Sequence, residues 1–488
     1  MAFRYQTLAA ELAQRIREQY YLPATALPSL RHFAEHHAIS LSTATKVYAV
    51  LEQQGFIAAK AKQGFFVKAI FVDAENASKA LKKTKLPKAK IVKKDTSDNI
   101  LEVLHNALRS DVIPWGGGWL PAHLLPIAAL QRSLNRATRR HPQAASSYGD
   151  KQGLPSLRAV ISERMAARHC AIPASHLLIT NGCLEAVVLA VNVLTRPHDV
   201  VAIFTPCYSG LLMALVQSHR TILEIPCGVD GPDLAYLEEL MRAKAMRALV
   251  FSATAYNPIG FNLSAEKKQR FSQLLARYKI PAIEDDAFGE LSFDAKNTSP
   301  VFAYQTLKHA QSMAPIIYTS SFSKALTTGY RVGWLACAGD ITPYVKHKLN
   351  MNLTVSQPVQ SALADFLNTE RYGAHIQRIR LVLEQQLLMM MRLFLALFPA
   401  GTECHLPQGG LFLWLHLPDK ISSMDFYKRA LEQGIMVCPG EIFSMAGGYK
   451  NYLRITASFL PRDEILRVIH ILAGIAEDLN MRGLVKAY

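Results

Sequence analysis

Lys324 closes the run Thr319-Ser320-Ser321-Phe322-Ser323-Lys324, and Arg331 follows in Gly329-Tyr330-Arg331-Val332-Gly333-Trp334. A lysine amine can add to a carbonyl, while hydroxyls and a guanidinium nearby offer one phosphate a set of charge-assisted hydrogen bonds. The spacing Ser321-x-x-Lys324 also occurs in penicillin-recognising enzymes, but the Lys-Thr-Gly element that accompanies it there is not found downstream. Upstream, the apolar run Pro281-Ala282-Ile283 ends in Glu284-Asp285-Asp286, so Asp285 is read as an acid at the end of a buried strand and Asp286 as the cap of the next turn. Asn257, in Tyr256-Asn257-Pro258-Ile259-Gly260, suits a hydrogen bond to a ring oxygen; Asn-Pro alone is only a turn signal. Thr180-Asn181-Gly182-Cys183-Leu184-Glu185 opens a helix whose free N–H groups and dipole would receive phosphate. Tyr208 can stack on an aromatic ring or serve as a core aromatic. Arg454 lies among apolar neighbours, where an unpaired guanidinium is costly, so a carboxylate partner is expected, supplied by a substrate or an effector.

A Schiff-base lysine, an acid beside a ring nitrogen, a phosphate cup, an aromatic lid and a cation for a carboxylate are together what pyridoxal 5′-phosphate (PLP) requires. In this order the motifs resemble fold-type I aminotransferases over residues 100 to 488, with further agreement at Ser147-Tyr148-Gly149, Pro407-Gln408-Gly409-Gly410 and Pro439-Gly440. The resemblance implies that Lys324 binds PLP covalently and that Asp285 pairs with the ring nitrogen. It gives Asn257 to the ring oxygen and Tyr208 to the ring face. Gly182, Cys183, Ser321 and Arg331 fall to the phosphate, with Ser323 completing the cofactor-binding set, and Arg454 to the carboxylate of an amino acid. Tyr148 would reach across from a second subunit, which implies a homodimer. One departure is chemical: Phe288 stands three residues after Asp285, where such enzymes usually carry a tyrosine whose hydroxyl also touches the ring oxygen. Cofactor capture is therefore expected, with at most weak transamination.

The elements that must position these groups alternate. Apolar runs at Leu177 to Ile179, Val200 to Phe204, Ala248 to Phe251 and Pro281 to Ile283 are separated by longer helical patterns. That alternation predicts an α/β domain with a mainly parallel sheet, to which the resemblance adds a smaller α+β domain. The chain of 488 residues exceeds what one core supports, so a second module is expected.

That module lies in residues 1 to 68. Phe3, Leu8, Leu12 and Ile16 recur at helical spacing. Ser29 can cap a second helix, and Ser40 or Ser42 a third that stops at Gly55. Two short β-prone runs, 56 to 59 and 64 to 67, flank a basic tip. The rhythm resembles the GntR family of winged helix-turn-helix regulators through Leu27-Pro28-Ser29-Leu30-Arg31, Ser40-Leu41-Ser42-Thr43-Ala44-Thr45 and Gly64-Phe65-Phe66-Val67. Ser42, Thr43 and Lys46 are assigned to the face that enters double-stranded DNA, and Arg31, Lys60 and Lys62 to phosphates. Leu41 stands where many members carry an arginine. Residues 69 to 99, rich in lysine and poor in large apolar side chains, read as a flexible linker.

Bulk properties agree. Of a net charge of +16, about half comes from the first 98 residues, which fits a polyanion partner at that end. Seven scattered cysteines without CxxC spacing read as reduced, mostly structural thiols, and no metal site is expected. No apolar run is long enough to span a bilayer and no secretory signal is read, so a cytoplasmic, nucleoid-associated protein is expected. A winged helix ahead of a fold-type I domain looks like the MocR group, whose members use PLP, with or without an amine or amino-acid effector, to control transcription. The alternative is a working aminotransferase with an auxiliary DNA-binding domain.

Overall fold

The computed structural model describes residues 4–17, 27–53, 56–60, 64–67, 86–92, 97–140, 142–294, 297, 299–305 and 316–485. The chain divides into two compact units, Met1–Lys83 and Thr84–Tyr488.

In the first unit, helices α1 (Arg4–Arg17), α2 (Leu30–His36) and α3 (Leu41–Gln53) precede a hairpin of β1 (Ile57–Lys60) and β2 (Gly64–Val67). The hairpin is antiparallel, with Ile57 opposite Val67 and Lys60 opposite Gly64. Leu12 and Ile16 of α1 and Val47, Tyr48 and Leu51 of α3 are buried together with Phe33. Tyr48 is the centre of this core: its ring meets Phe33 and Phe65 edge-on at 5.3 and 5.1 Å, and its hydroxyl donates to the Pro28 carbonyl at 2.8 Å. Ser29 caps α2 by accepting from the His32 amide at 3.2 Å. Of the two serines able to cap α3, it is Ser40 whose hydroxyl accepts from the Thr43 amide, at 3.2 Å. The stop at Gly55 lies outside the described residues.

The second unit is built on a nine-stranded sheet. Its strands are β3 (Lys90–Ile91), β4 (Leu177–Thr180), β5 (Val200–Thr205), β6 (Thr221–Gly228), β7 (Gly231–Pro232), β8 (Ala248–Phe251), β9 (Ala282–Asp285), β10 (Ile316–Ser321) and β11 (Gly333–Cys337). They run in the order β3-β6-β5-β8-β9-β10-β11-β4, with β7 paired to β6. The central five, β6, β5, β8, β9 and β10, are mutually parallel, while β11 runs against both β10 and β4. The strand β4 carries the pattern Leu-Leu-Ile-Thr and β8 the pattern Ala-Leu-Val-Phe, every residue buried, as a sheet covered on both faces requires. A second sheet, antiparallel, has the order β12 (Glu403–Cys404), β13 (Phe412–His416), β15 (Tyr452–Thr456), β14 (Cys438–Pro439). The mainly parallel sheet with a smaller α+β part is thus as expected.

Part of the stretch expected as linker, residues 69 to 99, has regular structure. Lys90 and Ile91 pair with Glu224 and Leu223 of β6, the Val92 amide donates to Ile222, and the Ala89 amide to the Tyr236 hydroxyl. A helix, α4 (Ser97–Ala107), then begins inside the same stretch. An edge strand needs only backbone pairing and some apolar contact, here from Ala89 and Val92 on either side of it, so its lysines did not prevent it.

Candidate functional site

The strand ends assemble the site. Register places Thr319 of β10 beside Asp285 of β9, and Ser321 opposite Gly333, which in turn faces Thr180 of β4. Beyond the carboxyl ends of β4, β5, β8, β9 and β10 come Gly182, Tyr208, Asn257, Asp285 and Lys324, the crevice in which open parallel sheets bind ligands.

Gly182, with φ 91°, ends the turn before α5 (Cys183–Leu194). A Cβ there would lie 2.5 Å from Arg331 Nη2, so only glycine lets this guanidinium cover the helix start. Arg331 is exposed, has φ 53°, and donates to Ser323 Oγ at 3.1 Å and to the Asn181 carbonyl at 3.3 Å. The Ser321 residue is buried, and its hydroxyl has no hydrogen-bond partner among the described residues. A guanidinium, a free hydroxyl and a helix N-terminus in one place form the donor set that a phosphate needs.

Lys324 Nζ donates to the Gly118 carbonyl at 2.8 Å and lies 5.4 Å from the centre of the Phe288 ring. Burial, and then the charge of Arg454, pull its pKa down to about 8, against a smaller upward pull from Asp285. Asp285 Oδ1 accepts from the Cys183 thiol at 3.1 Å and from the Ala287 amide at 3.1 Å, whereas Oδ2 has no partner among the described residues. Burial raises the pKa of Asp285, and those two donors oppose the rise. Phe288 is buried and packs edge-on against Phe412 at 5.6 Å, so no hydroxyl stands at this position. Tyr208 is partly exposed as the residue before α6 (Ser209–Gln217); burial raises its phenol pKa, and the charges of Arg454, Asp285 and Arg331 reach it.

Arg454 is only 6% exposed and, among the described residues, meets no carboxylate. Its Nη1 donates to Asn257 Oδ1 at 3.1 Å, its Nη2 to the Gly116 carbonyl at 2.6 Å, and its Nε has no partner. Its guanidinium also lies over Phe412 at 4.2 Å and Phe443 at 5.0 Å. The expected carboxylate is therefore not one of the described protein groups. A buried cation with a spare donor suits a ligand carboxylate.

Two features escaped the sequence reading. Gly116, Gly117 and Gly118 present successive carbonyls to Arg454, Thr456 and Lys324. A Cβ on Gly116 would collide with Met436 and, at 2.8 Å, with the Val437 backbone, and the glycine run itself was the available signal. Asp286 does not serve as a turn cap through its side chain: its Oδ2 binds Arg168 at 2.7 Å and the Tyr318 hydroxyl at 2.8 Å, deep in the core. Behind it Glu284 accepts from the Val301 and Phe302 amides, and burial beside Asp286 pushes its pKa up to about 7. All seven cysteines are unpaired, and six are buried. Tyr148 is 81% exposed.

In the first unit, Arg31, Ser42 and Lys46 are exposed, with Lys46 Nζ 6.0 Å from the Tyr5 ring. Thr43 is only half-exposed, and its hydroxyl is engaged with Ser40 Oγ at 2.8 Å, which also meets Ser42 Oγ at 2.9 Å. Leu41 is 48% exposed on the first turn of α3. Lys60 ends β1, and Lys62 lies outside the described residues. Among the described residues there is no metal-ligand cluster and no helix long and apolar enough to cross a membrane.

Comparison with known proteins matches residues 111–472 to the family described as aminotransferase class I and II, and residues 4–67 to bacterial regulatory proteins of the gntR family. The chain is similar to the HTH-type transcriptional regulator YdcR of Escherichia coli K12, with 30% identity over 460 residues covering 93% of this chain and 95% of YdcR. It is similar also to YjiR of the same organism, another HTH-type transcriptional regulator, with 28% identity covering 95% of this chain and 96% of YjiR. Among solved structures it resembles LysN, the α-aminoadipate aminotransferase of Thermus thermophilus complexed with N-(5′-phosphopyridoxyl)-L-leucine. That likeness has a TM-score of 0.72 and 26% identity, and covers 80% of this chain and 96% of LysN.

Proposed function

The chain belongs to the aminotransferase class I and II family, with a gntR-family module ahead of it in the MocR arrangement, and from this premise we propose that it is a PLP-dependent, DNA-binding transcriptional regulator that senses an amine or amino acid. The observation that carries the sensing role is Arg454, a buried guanidinium without a carboxylate partner, in the same crevice as a lysine whose pKa is pulled down to about 8. When bound, PLP supplies an aldehyde that amines capture reversibly and a ring that acts as an electron sink.

The residues divide the work. Gly182, the Cys183 amide, Ser321, Ser323 and Arg331 would hold the phosphate, Asp285 the ring nitrogen and Asn257 the ring oxygen, and Tyr208 would cover the ring face. Lys324 is the covalent anchor, and its lowered pKa keeps more of the amine neutral and nucleophilic near neutral pH than an ordinary lysine would be. Arg454 would receive the carboxylate of an incoming amino acid, and the Gly118 carbonyl, which accepts from Lys324 Nζ at 2.8 Å, would hold the Lys324 amine whenever it is free. Phe288 donates no proton to the ring oxygen, which favours capture over turnover. Tyr148, exposed here, completes the site of a second copy in a homodimer. In the DNA-binding unit Arg31, Lys46, Lys60 and Lys62 neutralise phosphates and Ser42 faces the groove, while Thr43 acts through Ser40 as part of the cap. Docking at Arg454 biases the large domain between two states, and the DNA heads respond.

The test is to titrate purified holo-protein with a panel of primary amines and amino acids while following cofactor absorbance and DNA affinity in the same samples. At least one carboxylated amine is expected to change both. A panel that changes neither contradicts the sensor, and fast steady-state transamination without DNA binding supports a plain aminotransferase.

A further inference from the structure

Cys183 has two faces toward the site. Its amide opens α5 where the proposed phosphate cup lies, and its side chain reaches the neighbouring strand ends, with Sγ 3.1 Å from Asp285 Oδ1 and 3.4 Å from Thr319 Oγ1. The Thr319 hydroxyl donates to the Glu284 carbonyl at 2.9 Å and its oxygen can still accept from the thiol, but the Asp285 carboxylate is the nearer and the charged acceptor for the thiol proton. The Ala287 amide donates to the same Oδ1 at 3.1 Å. Two donors on one oxygen leave Oδ2 bare, and the carboxylate can no longer rotate without losing both bonds. Ser321, buried on the strand next to Asp285 with a hydroxyl that has no partner among the described residues, lies in the same crevice.

We infer that Cys183 is a positioning residue for Asp285: its thiol fixes the carboxylate so that Oδ2 faces the ring nitrogen of PLP and stabilises the ionised form that keeps this nitrogen protonated. The inference rests on the reading of Lys324 and Asp285 as the cofactor site. It ties two functions to one residue, since the amide that helps to receive the phosphate and the thiol that sets the ring acid move together with the start of α5. Other titratable groups near Asp285 are Asp286 beside it, Lys324 beyond β10, and Cys207 and Tyr208 beyond β5. Of these, Asp286 raises the proton affinity of Asp285 and Lys324 lowers it, so the thiol is not the sole influence but is the hydrogen bond that a substitution can remove. The Cys183 thiol stays protonated, because burial and the neighbouring Asp285 carboxylate drive its pKa well above the ordinary value.

The experiment compares the full-length protein with Cys183→Ala and Cys183→Ser. Two quantities are read: the affinity for added PLP, and the pH midpoint of the bound-cofactor absorbance. Losing a thiol donor to a carboxylate is expected to weaken PLP binding about threefold. It should also move the midpoint upward by about half a unit, because a less firmly protonated ring withdraws less charge from the nitrogen linked to Lys324. Cys183→Ser keeps a donor and is expected to restore both values. An unshifted midpoint in Cys183→Ala, or a serine variant that behaves like alanine, overturns the inference. Should Cys183→Ala lose its fold, Cys183→Val serves as the donor-free variant that fills the space. A wild-type protein without cofactor absorbance would sink the reading of Lys324 and this inference with it; normal wild-type absorbance with an unshifted alanine variant sinks the inference alone.

Discussion

The cofactor crevice and the DNA-facing side of α3 treat polar groups in opposite ways. In the crevice, Arg454 Nε, the Ser321 hydroxyl and Asp285 Oδ2 lack partners among the described residues, although they belong to buried or half-buried side chains. On α3 the hydroxyls of Ser42 and Thr43 are taken up by Ser40, and the charges of Lys46 on α3 and of Arg31 on α2 stand in solvent. Unmet hydrogen bonds in a low-dielectric site give large and specific binding energy when the right ligand supplies them, whereas exposed cations give a salt-sensitive attraction that any phosphate backbone satisfies. Under the proposed function, chemical discrimination falls to the crevice and electrostatic docking to the winged helix.

Perturbing each region separately should sharpen this contrast. Lys324→Ala removes the proposed covalent anchor, so the lysine-linked cofactor absorbance is expected to vanish completely in a spectrophotometric titration. Leu51→Ala truncates a fully buried side chain of the DNA-binding core and should cost about 2–5 kcal/mol. Separate thermal transitions would then show loss of the small unit and of DNA binding while the cofactor absorbance persists. Arg454→Gln is expected to weaken carboxylated effectors by about 10- to 100-fold, and to leave amines without a carboxylate unaffected, in binding titrations read by absorbance. Equal weakening of both classes would mean that Arg454 does not hold a carboxylate.

The fourth expectation concerns pH. Only the neutral Lys324 amine attacks an aldehyde, and its pKa is lowered to about 8 from the ordinary 10.5. The rate of PLP loading onto cofactor-free protein should therefore climb with pH up to about 8 and flatten above it; a rate still climbing toward pH 10 in stopped-flow traces would contradict the burial of this amine. The smallest effect belongs to the other region. Lys46→Gln is expected to lower the slope of log affinity against log salt by about one unit, with little change in sequence preference.

Much of the site was legible because its chemistry demands particular side chains. Lys324, Asp285, Asn257 and Arg454 can hardly be exchanged for other types, and each follows a recognisable strand or turn. What stayed hidden depends on backbone or on long-range pairing. The carbonyls of Gly116 to Gly118 carry no residue-type signature, and the Arg168–Asp286 pair joins positions far apart in sequence. The direction of the Cys183 thiol follows from the turn at Gly182, not from the identity of its neighbours. The lysine-rich composition around strand β3 reads as linker, while backbone pairing and the flanking apolar contacts of Ala89 and Val92 suffice at a sheet edge. Thr43 was assigned to DNA because its type suits the groove, and only the geometry of the Ser40 cap shows its hydroxyl engaged.

The central claim is that ligand exchange at Lys324 controls DNA binding. Borohydride reduces the carbon–nitrogen double bond between Lys324 and the cofactor and so fixes the anchor permanently. DNA affinity of the reduced protein, measured at constant salt with and without an amino acid that alters the affinity of the untreated protein, is the direct test. DNA binding is expected to persist and its response to the amino acid to disappear. An undiminished response after reduction would contradict it.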